Sequence, residues 1–318
     1  MHKKKVVFSV IIPVYNRGSL VAETIESVLN QNFSDYEIIA VNDGSTDDSL
    51  QVLNQFKNSV RIISQQNQGA EIARNKAVEH AVGDYLVFLD SDDILLPESL
   101  SIYHQMIQSE SNPALIFARA CAFMDEKKLA EIKNEDKSLI CYTPVKDYLS
   151  KTETVWLSTS ILVFKRALWN EKTCFQKGTV DDLDFMLRIG TIGPVLIVKS
   201  PATVAYRLHP GNSIHDILIN LIRLNNMLSI ERKGEYPGGH KRKMERMAVI
   251  GGHIFLWSIK GIKKRHYKES IFLLIKGMPA IFAGALKKIK NRKQKIEIKK
   301  ISNKKPEIEL TKNIIIPY

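Results

Sequence analysis

Three carboxylates follow one short apolar segment of this sequence, and such a group could bind a cation or a sugar phosphate. Residues 85–89 (Tyr-Leu-Val-Phe-Leu) have the composition of a strand that is buried on both faces. Asp90, Asp92 and Asp93 come directly after it, and open α/β sheets bind ligands at the carboxyl ends of their strands. In an extended turn, Asp90 and Asp92 could both reach one hard cation. A solvated acidic turn that caps the next helix would give the same pattern.

A second acidic cluster opens a predicted helix further along the chain. Asp181, Asp182 and Asp184 fall in its first turn, where the helix dipole favours negative charge. That electrostatic effect would by itself explain the cluster.

The sequence around the first cluster alternates strand and helix patterns. Strands are predicted at 5–14, 36–41, 60–64 and 85–89, and helices at 19–30, 49–56 and 69–81. Ser19 is the predicted N-cap of the first helix. Strands separated by helices of this length imply right-handed crossovers, so we predict an α/β fold with a Rossmann-like, mainly parallel sheet flanked by helices.

The first two strands also end in polar residues. Residues 13–17 (Pro-Val-Tyr-Asn-Arg) follow the first strand and residues 42–45 (Asn-Asp-Gly-Ser) follow the second. Together with Asp90 they would place aromatic, amide and carboxylate groups around one cleft, suited to a base, a ribose and a pyrophosphate. The sequence contains neither GxGxxG nor GxxxxGK[ST], so neither a dinucleotide fingerprint nor a P-loop explains the cleft.

The second half of the sequence is less regular. We predict strands at 113–123, 161–164 and 195–198, and a charged surface excursion at 125–137. Three widely spaced cysteines without a CxxC motif indicate a reducing compartment. The apolar run from Val6 is short and contains Pro13, so it is interpreted as a first strand and not as a signal peptide.

The net charge of +12 is unevenly distributed over the 318 residues. Residues 240–318 contain 21 Lys and Arg against 5 Asp and Glu, whereas residues 1–239 contain 25 against 29. Apolar helical stretches at 244–260 and 270–286 precede the Lys-rich segment 287–295. The second stretch is short and carries Pro279, which is unfavourable for a spanning helix. We therefore predict two regions, a domain at 1–239 and a basic, amphipathic helical tail at 240–318.

Apolar helices flanked by basic clusters favour peripheral association with an anionic membrane surface, which would place the protein at the cytoplasmic face of the plasma membrane. A solvated, partly disordered tail is the alternative. Nucleic acid is not expected as a partner, because the aromatic residues lie in the apolar stretches and not among the basic ones.

Four segments resemble, in order and spacing, the family 2 inverting glycosyltransferases with the GT-A fold, a family of bacterial polysaccharide and lipid-glycan biosynthesis. They are residues 10–16 (VIIPVYN), 41–48 (VNDGSTDD), 68–75 (QGAEIARN) and 89–93 (LDSDD). Each motif is weak alone, and their succession over about ninety residues is specific.

The resemblance implies a set of residues that bind the nucleotide sugar. They are Pro13, Val14, Tyr15, Asn16, Asp43, Gly69, Arg74, Asn75, Asp90, Ser91 and Arg207. Tyr15 would stack on the base and Asp43 would accept a hydrogen bond from it. Packing of Tyr15, an Asx turn at Asp43 and a structural salt bridge of Arg74 are the corresponding alternatives.

The resemblance also implies a divalent metal, Mn²⁺ or Mg²⁺. Asp90 would lie near the ribose and Asp92 on the metal that bridges the diphosphate. Residues 206–213 resemble the family's YRxHxxxxS segment with one residue fewer before the Ser, which makes His209 a metal or pyrophosphate contact.

Residues 180–189 resemble the family's ED motif, with Asp181 where the family usually has Glu. The match places Asp182 at the catalytic base, Asp181 beside the acceptor, and Asp184 and Arg188 in supporting roles. Trp156 is a candidate platform for the acceptor sugar, and a buried core position is its alternative.

The reaction that the resemblance implies is an inverting transfer of a single sugar from a nucleotide diphosphate sugar, with UDP-sugar as the expected donor, to a hydroxyl of a glycan or lipid-linked acceptor. An Asp takes the acceptor's proton and a metal stabilises the departing phosphates. The alternative function is a non-catalytic protein of the same fold that binds membrane or nucleic acid through its basic tail.

Overall fold

The structure, a computed structural model, describes residues 5–110, 112–150, 158–212, 216–304 and 313–315. The strands are β1 Phe8–Val14, β2 Tyr36–Asp43, β3 Arg61–Gln65, β4 Tyr85–Phe88, β5 Ile94–Leu95, β6 Leu115–Phe117, β7 Ala120–Phe123, β8 Ile140–Val145, β9 Leu162–Lys165, β10 Val195–Ser200, β11 Val204–Arg207 and β12 Asn313–Ile315. The helices are α1 Gly18–Leu29, α2 Ser49–Gln55, α3 Ala70–Glu79, α4 Ser99–Ser109, α5 Glu126–Lys133, α6 Asp181–Ile189, α7 Ile217–Lys233, α8 Lys243–Lys263 and α9 Tyr267–Lys304.

A large sheet with the order β12-β8-β10-β6-β9-β4-β1-β2-β3 forms the centre of the fold. Its amino-terminal strands β4, β1, β2 and β3 are parallel, and β10 is parallel to β6. β9 runs antiparallel between β4 and β6. The strands β1, β2 and β4 are almost wholly buried under helices, as expected for strands covered on both faces. The predicted α/β fold with a helix-flanked, mainly parallel sheet is confirmed.

The register of these strands explains why their polar ends meet. Val14 of β1 is opposite Asn42 of β2, and Ile11 of β1 is opposite Phe88 of β4. All three strands run in the same direction, so their carboxyl ends lie at one edge of the sheet. The loops that begin at Tyr15, Gly44 and Leu89 therefore leave the sheet side by side.

Helix α1 begins differently from the prediction, because Ser19 is not its N-cap. The helix starts at Gly18, and the cap is supplied from outside the helix by Asp47, whose Oδ2 accepts a hydrogen bond from the Gly18 N–H at 3.0 Å. A Cβ at Gly18 would lie 1.6 Å from Oδ1 of Asp48, so a larger residue at this position would displace the Asp48 side chain.

The single strand predicted at 113–123 is also wrong. The segment forms two strands in different sheets, because the chain turns at Ala118, whose N–H bonds to the carbonyl of Ile161. β6 joins the large sheet, and β7 joins a small sheet of order β5-β11-β7. The charged segment that follows contains α5, and Asp125 caps it by accepting from the N–H of Lys128 at 2.8 Å.

The carboxyl-terminal helices pack against the α/β layers. Arg246 of α8 forms a buried ion pair with Glu231 of α7 at 2.7 Å. The hydroxyl of Tyr236 donates to Asp184 of α6 at 2.6 Å, and Lys287 of α9 donates to the carbonyl of Leu149 at 2.9 Å. These contacts join α8 to α7, the segment after α7 to α6, and α9 to the segment that contains Leu149.

Candidate active site

The loop after β1 is joined to the loop after β2 by Asn16. Its N–H donates to Oγ of Ser45 at 3.1 Å, and its Oδ1 accepts from the N–H of Thr46 at 2.8 Å. Pro13 and Val14 are buried in β1, whereas the side chain of Tyr15 is 45% exposed at the rim. An exposed aromatic ring beside two polar loops has the accessibility that base stacking requires.

Asp43 fixes the loop that leads into α3. Its Oδ1 accepts from Nε2 of Gln65 and the N–H of Gln68, and its Oδ2 accepts from the N–H of Gly69 at 2.8 Å. Gly69 has a φ of 100°, which favours glycine. The Asx contact in the preceding turn belongs to Asn42, whose Oδ1 accepts from the N–H of Ser45. The hydrogen bond from Asp43 to a base stays a prediction.

Asp90 is held by two hydroxyls and one guanidinium. Arg74 Nη2 donates to its Oδ1 at 2.7 Å, and Oγ1 of Thr159 lies 2.7 Å from its Oδ2. The Asp90 N–H donates to Oγ of Ser160 at 3.0 Å. Thr159 and Ser160 were not predicted as site residues, although the Ser-Thr-Ser run at 158–160 before an apolar segment is visible in the sequence.

Arg74 joins the two acidic clusters. In addition to Asp90, it donates from Nη1 to Oδ2 of Asp181 at 3.2 Å, and its guanidinium lies over the ring of Phe175. Burial favours a lower pKa for Arg74, but the charges of Asp90 and Asp181 outweigh it and raise its pKa. The structure therefore shows Arg74 as a charged, buried bridge.

Asp92 is in contact with an imidazole and a guanidinium. Its Oδ2 lies 3.0 Å from Nε2 of His209 and 3.1 Å from Nε of Arg17. The N–H of Gly211 donates to Nδ1 of His209, so in the neutral imidazole the proton lies on Nε2 and faces Asp92. Arg17 was not predicted as a site residue, although it directly follows the PVYN motif.

Arg207 supports the backbone of the first cluster. Its N–H donates to Oδ1 of Asp93, its Nε donates to the carbonyl of Asp92, and its guanidinium also pairs with Glu23. Burial and the charges of Asp90 and Asp92 raise the pKa of Asp93 well above its usual range. Ser91 is buried within the same turn.

Asp182 lies in the first turn of α6 and is partly buried. Its Oδ1 accepts from the N–H of Leu183 at 2.6 Å. Burial, followed by the negative charges of Asp181 and Asp90, raises the pKa of Asp182 to about 6. A carboxylate with a pKa close to the working pH is well suited to accept a proton.

Two further residues, Glu71 and Arg223, extend the site beside Asp181. Nη1 of Arg223 in α7 lies 3.3 Å from Oδ1 of Asp181, and its Nη2 lies 3.4 Å from Oε1 of Glu71. Burial and the charge of Asp181 raise the pKa of Glu71 to about 7. Glu71 lies within the 68–75 motif but was not predicted as a site residue, and Arg223 belongs to no motif noted in the sequence.

Among the remaining predicted residues, Asn75, Asp184 and Arg188 have structural partners. Asn75 exchanges two hydrogen bonds with the backbone of Phe175, at 2.9 and 3.0 Å, and so fixes the segment before α6. Arg188 forms a buried ion pair with Asp184 at 2.7 Å beneath the helix. Trp156 lies outside the described residues.

The donor set around Asp92 fits a divalent cation that shares its ligands with a substrate. The described residues contain no group of three or more His, Cys, Asp and Glu side chains that could hold a metal alone. The Asp92 carboxylate suits Mn²⁺ or Mg²⁺ when phosphate oxygens complete the coordination, and the imidazole nitrogen of His209 suits Mn²⁺ better than Mg²⁺. These two residues would hold the metal.

Comparison with known proteins gives a family for the chain. The family model described as Glycosyl transferase family 2 matches residues 9–172, just over half of the sequence. The glycosyltransferase GlyG of Streptococcus pneumoniae is 37% identical over 112 residues, which cover 34% of this chain and 37% of GlyG. The matched segment is thus well under half the length of that relative.

Solved structures with the same fold cover nearly the whole chain. S. aureus TarS (residues 1–349) in complex with UDP-GlcNAc aligns with a TM-score of 0.54 and 17% identity, over 91% of this chain and 92% of TarS. The mannosyltransferase PcManGT of Pyrobaculum calidifontis, in complex with GDP-Man and Mn²⁺, aligns with a TM-score of 0.51 and 15% identity, over 90% and 87% of the two chains. At these identities the likeness shows the fold alone.

Proposed function

This chain belongs to glycosyl transferase family 2, and on that premise we propose that it transfers a single sugar from a nucleotide diphosphate sugar to an acceptor hydroxyl with inversion at the anomeric carbon. The observation that carries the proposal is the bridge made by Arg74. Its guanidinium contacts both Asp90, on the predicted donor side, and Asp181, which neighbours Asp182. The two acidic clusters are therefore parts of one site.

In this reaction Asp182 is the general base. As the acceptor oxygen forms a bond to the anomeric carbon, its proton passes to the Asp182 carboxylate. The bond from the anomeric carbon to the phosphate oxygen breaks at the same time, and its electron pair leaves with the nucleoside diphosphate. Displacement in one step from one face inverts the configuration. The pKa of about 6 keeps Asp182 ionised near neutral pH while its basicity exceeds that of an exposed Asp.

The donor's base and ribose would lie at the ends of β1 and β2, between the exposed ring of Tyr15 and Asp43, with Asp90 near the ribose. Its diphosphate would lie beside Asp92, His209 and Arg17. Asp92 and His209 would hold a divalent cation, which when bound would offset the negative charge that develops on the leaving diphosphate. We propose UDP-sugar as the donor because TarS, the structural neighbour with the higher TM-score, is bound to UDP-GlcNAc.

For the acceptor we propose a glycan or lipid-linked hydroxyl at the cytoplasmic face of a membrane, with residues 240–318 as the membrane-associating region. Among the described helices, Tyr267–Asn291 has the length and composition to cross a membrane. Its strongly basic surroundings favour a position on the surface of anionic lipid.

The experiment that tests the activity measures release of nucleoside diphosphate from UDP-, GDP- and dTDP-sugars in the presence of Mn²⁺. We expect hydrolysis of one donor class by the wild-type protein and a loss of about 100-fold or more in Asp182→Asn. Asp136→Asn, which changes an exposed carboxylate of the 125–137 segment, is the matched control. Turnover of none of the donors, or full activity of Asp182→Asn, would reject the proposal in favour of a non-catalytic protein.

A further inference from the structure

Helix α9 exposes a continuous stripe of large apolar side chains. Its members recur at intervals of three and four residues and thus share one helical face. They are Ile271, Ile275, Met278, Phe282, Leu286 and Ile289, with Phe272 beside them. At 1.5 Å per residue the stripe is about 27 Å long. Phe255, Leu256 and Ile259 of α8 are also exposed.

At several points of the contact between α8 and α9, small residues let the two helices approach closely, and Ile254 of α8 packs against Gly277 of α9. A Cβ at Gly251 would lie 2.0 Å from the carbonyl oxygen of Ala280, and one at Gly261 would lie 2.2 Å from Oγ of Ser270. A helix on the surface of a soluble domain normally buries its large apolar side chains. Small residues between helices and large apolar residues outside are typical of helices that pack in lipid. The exposed face of α8 and α9 therefore has the composition of a surface that contacts lipid and not water.

The charge around the stripe distinguishes between its possible occupants. Lys263, Lys264, Arg265 and Lys268 are exposed where α8 turns into α9, and residues 240–318 contain 21 basic against 5 acidic residues. A second copy of the chain would bring two such basic segments together, which is electrostatically unfavourable. An anionic lipid surface complements them.

We propose that the α9 stripe, with the exposed apolar residues of α8, is the membrane-binding face of the protein and lies in the plane of an anionic bilayer surface. The basic turn between the helices is costly to move into hydrocarbon, so the hairpin lies along the interface and does not insert with the turn first. The proposal assigns membrane binding to the apolar face of the helical hairpin, which extends to Ile289, and not to the charge of the Lys-rich segment 287–295 alone.

Helix α7 connects this face to the active site. Lys276 of α9 donates to Oδ1 of Asn225 in α7 at 2.6 Å. Within α7, Ile222 is exposed and its neighbour Arg223 contacts Asp181. A membrane-bound acceptor would thus approach from the side on which Asp181 and Asp182 lie, a consequence that rests on the proposed function.

The test uses the full chain and sedimentation with vesicles of phosphatidylglycerol and phosphatidylcholine. The variant Ile275→Ser/Met278→Ser/Phe282→Ser removes three exposed side chains of the stripe. The control variant Val82→Ser/Met124→Ser removes large exposed side chains elsewhere. We expect the triple variant to reduce the partition coefficient about tenfold or more, and the control to leave it unchanged.

If the wild-type protein binds vesicles of phosphatidylcholine alone more weakly than vesicles that also contain phosphatidylglycerol, the result supports an anionic lipid surface as the partner. Undiminished binding of the triple variant overturns the assignment of the face. If the wild-type protein does not bind vesicles and is a dimer, whereas the triple variant is a monomer, the stripe binds a second copy of the chain and the proposal is overturned. Hydrolysis of a soluble donor is measured in parallel and should be equal in the triple variant and the control variant. If the glycosyltransferase proposal is wrong, neither the wild type nor either variant will hydrolyse the donor. That outcome differs from failure of the membrane-face proposal, which would be seen in the vesicle binding alone.

Discussion

Nε2 of His209 lies 3.0 Å from Oδ2 of Asp92, although 117 positions separate the two residues in the sequence. The contact joins the turn after β11 to the turn after β4. It brings one oxygen and one nitrogen donor together, and Asp92 and His209 are the residues that would hold a divalent cation. To bind it through Nε2, neutral His209 would carry its proton on Nδ1 and lose the hydrogen bond from the Gly211 N–H.

His209→Ala should therefore weaken the response to Mn²⁺. With one of the two proposed metal ligands removed, we expect the Mn²⁺ concentration for half-maximal donor hydrolysis to rise about tenfold or more. The measurement is a Mn²⁺ titration at saturating donor. His240→Ala, at an exposed histidine, is the control. An unchanged Mn²⁺ requirement in His209→Ala would remove His209 from the metal site.

Arg74→Lys should reduce both stability and activity. Lysine cannot contact Asp90 and Asp181 at once in the forked geometry of a guanidinium. Loss of one of the two charge-assisted hydrogen bonds costs about 1.5–3 kcal/mol in the free energy of unfolding, because Asp90 and Asp181 keep their contacts with Thr159 and Arg223. Thermal unfolding and donor hydrolysis measure the two effects. Arg61→Lys, on an exposed arginine, should change neither, and a wild-type Tm for Arg74→Lys would contradict the bridging role.

The pH dependence of kcat/KM should report Asp182. The base accepts a proton only when it is ionised, so the rate should rise with pH up to about 6 and then level off. Below that pH the rate should fall about tenfold per pH unit. A profile that stays flat down to pH 4 would exclude a carboxyl group with a raised pKa as the base.

The same raised pKa predicts a stability difference of defined sign. The folded state binds the Asp182 proton more tightly than the unfolded state, so the carboxylate destabilises the fold increasingly from pH about 4 to about 6 and fully above that. Asp182→Asn should thus unfold at a higher temperature than wild type at pH 8, and the difference should vanish at pH 3. A lower Tm of Asp182→Asn at pH 8 would show that the charge is compensated in the fold.

The sequence predicted the sheet and its polar edge because both depend on local patterns. Apolar runs and helical periods fix which segments are strands and helices, and parallel connections bring Asn16, Asp43 and Asp90 to one edge. Ser19 was misassigned as a cap because the actual cap, Asp47, lies on another loop. A cap that comes from a distant part of the chain leaves no signal in the helix's own sequence.

Residues without a motif were missed for the same reason. Arg223 belongs to a long helix whose sequence shows an ordinary alternation of apolar and polar residues, and only the packing of α7 brings it to Asp181 and Glu71. The resemblance likewise indicated that Arg74 belongs to the site, but only the coordinates show that it contacts both acidic clusters. Long-range ion pairs depend on tertiary packing, and the local patterns that fix the elements do not specify them.

Arg17 provides the last prediction, because it is a cation beside Asp92, where we propose that the diphosphate binds, and no motif includes it. Its Nε contacts Asp92 at 3.1 Å and its Nη2 donates to the carbonyl of Gly211 at 3.3 Å. A guanidinium in this position can shift from these partners to a phosphate oxygen when the donor binds.

Arg17→Gln keeps hydrogen-bonding capacity but removes the charge. We expect the KM for the donor to rise about tenfold or more, since a hydrogen bond to a charged group contributes about 1.5–3 kcal/mol. Steady-state hydrolysis at several donor concentrations measures the change, with Arg61→Gln as the control. A KM equal to that of the wild type would show that Arg17 serves only to hold the turns around Asp92.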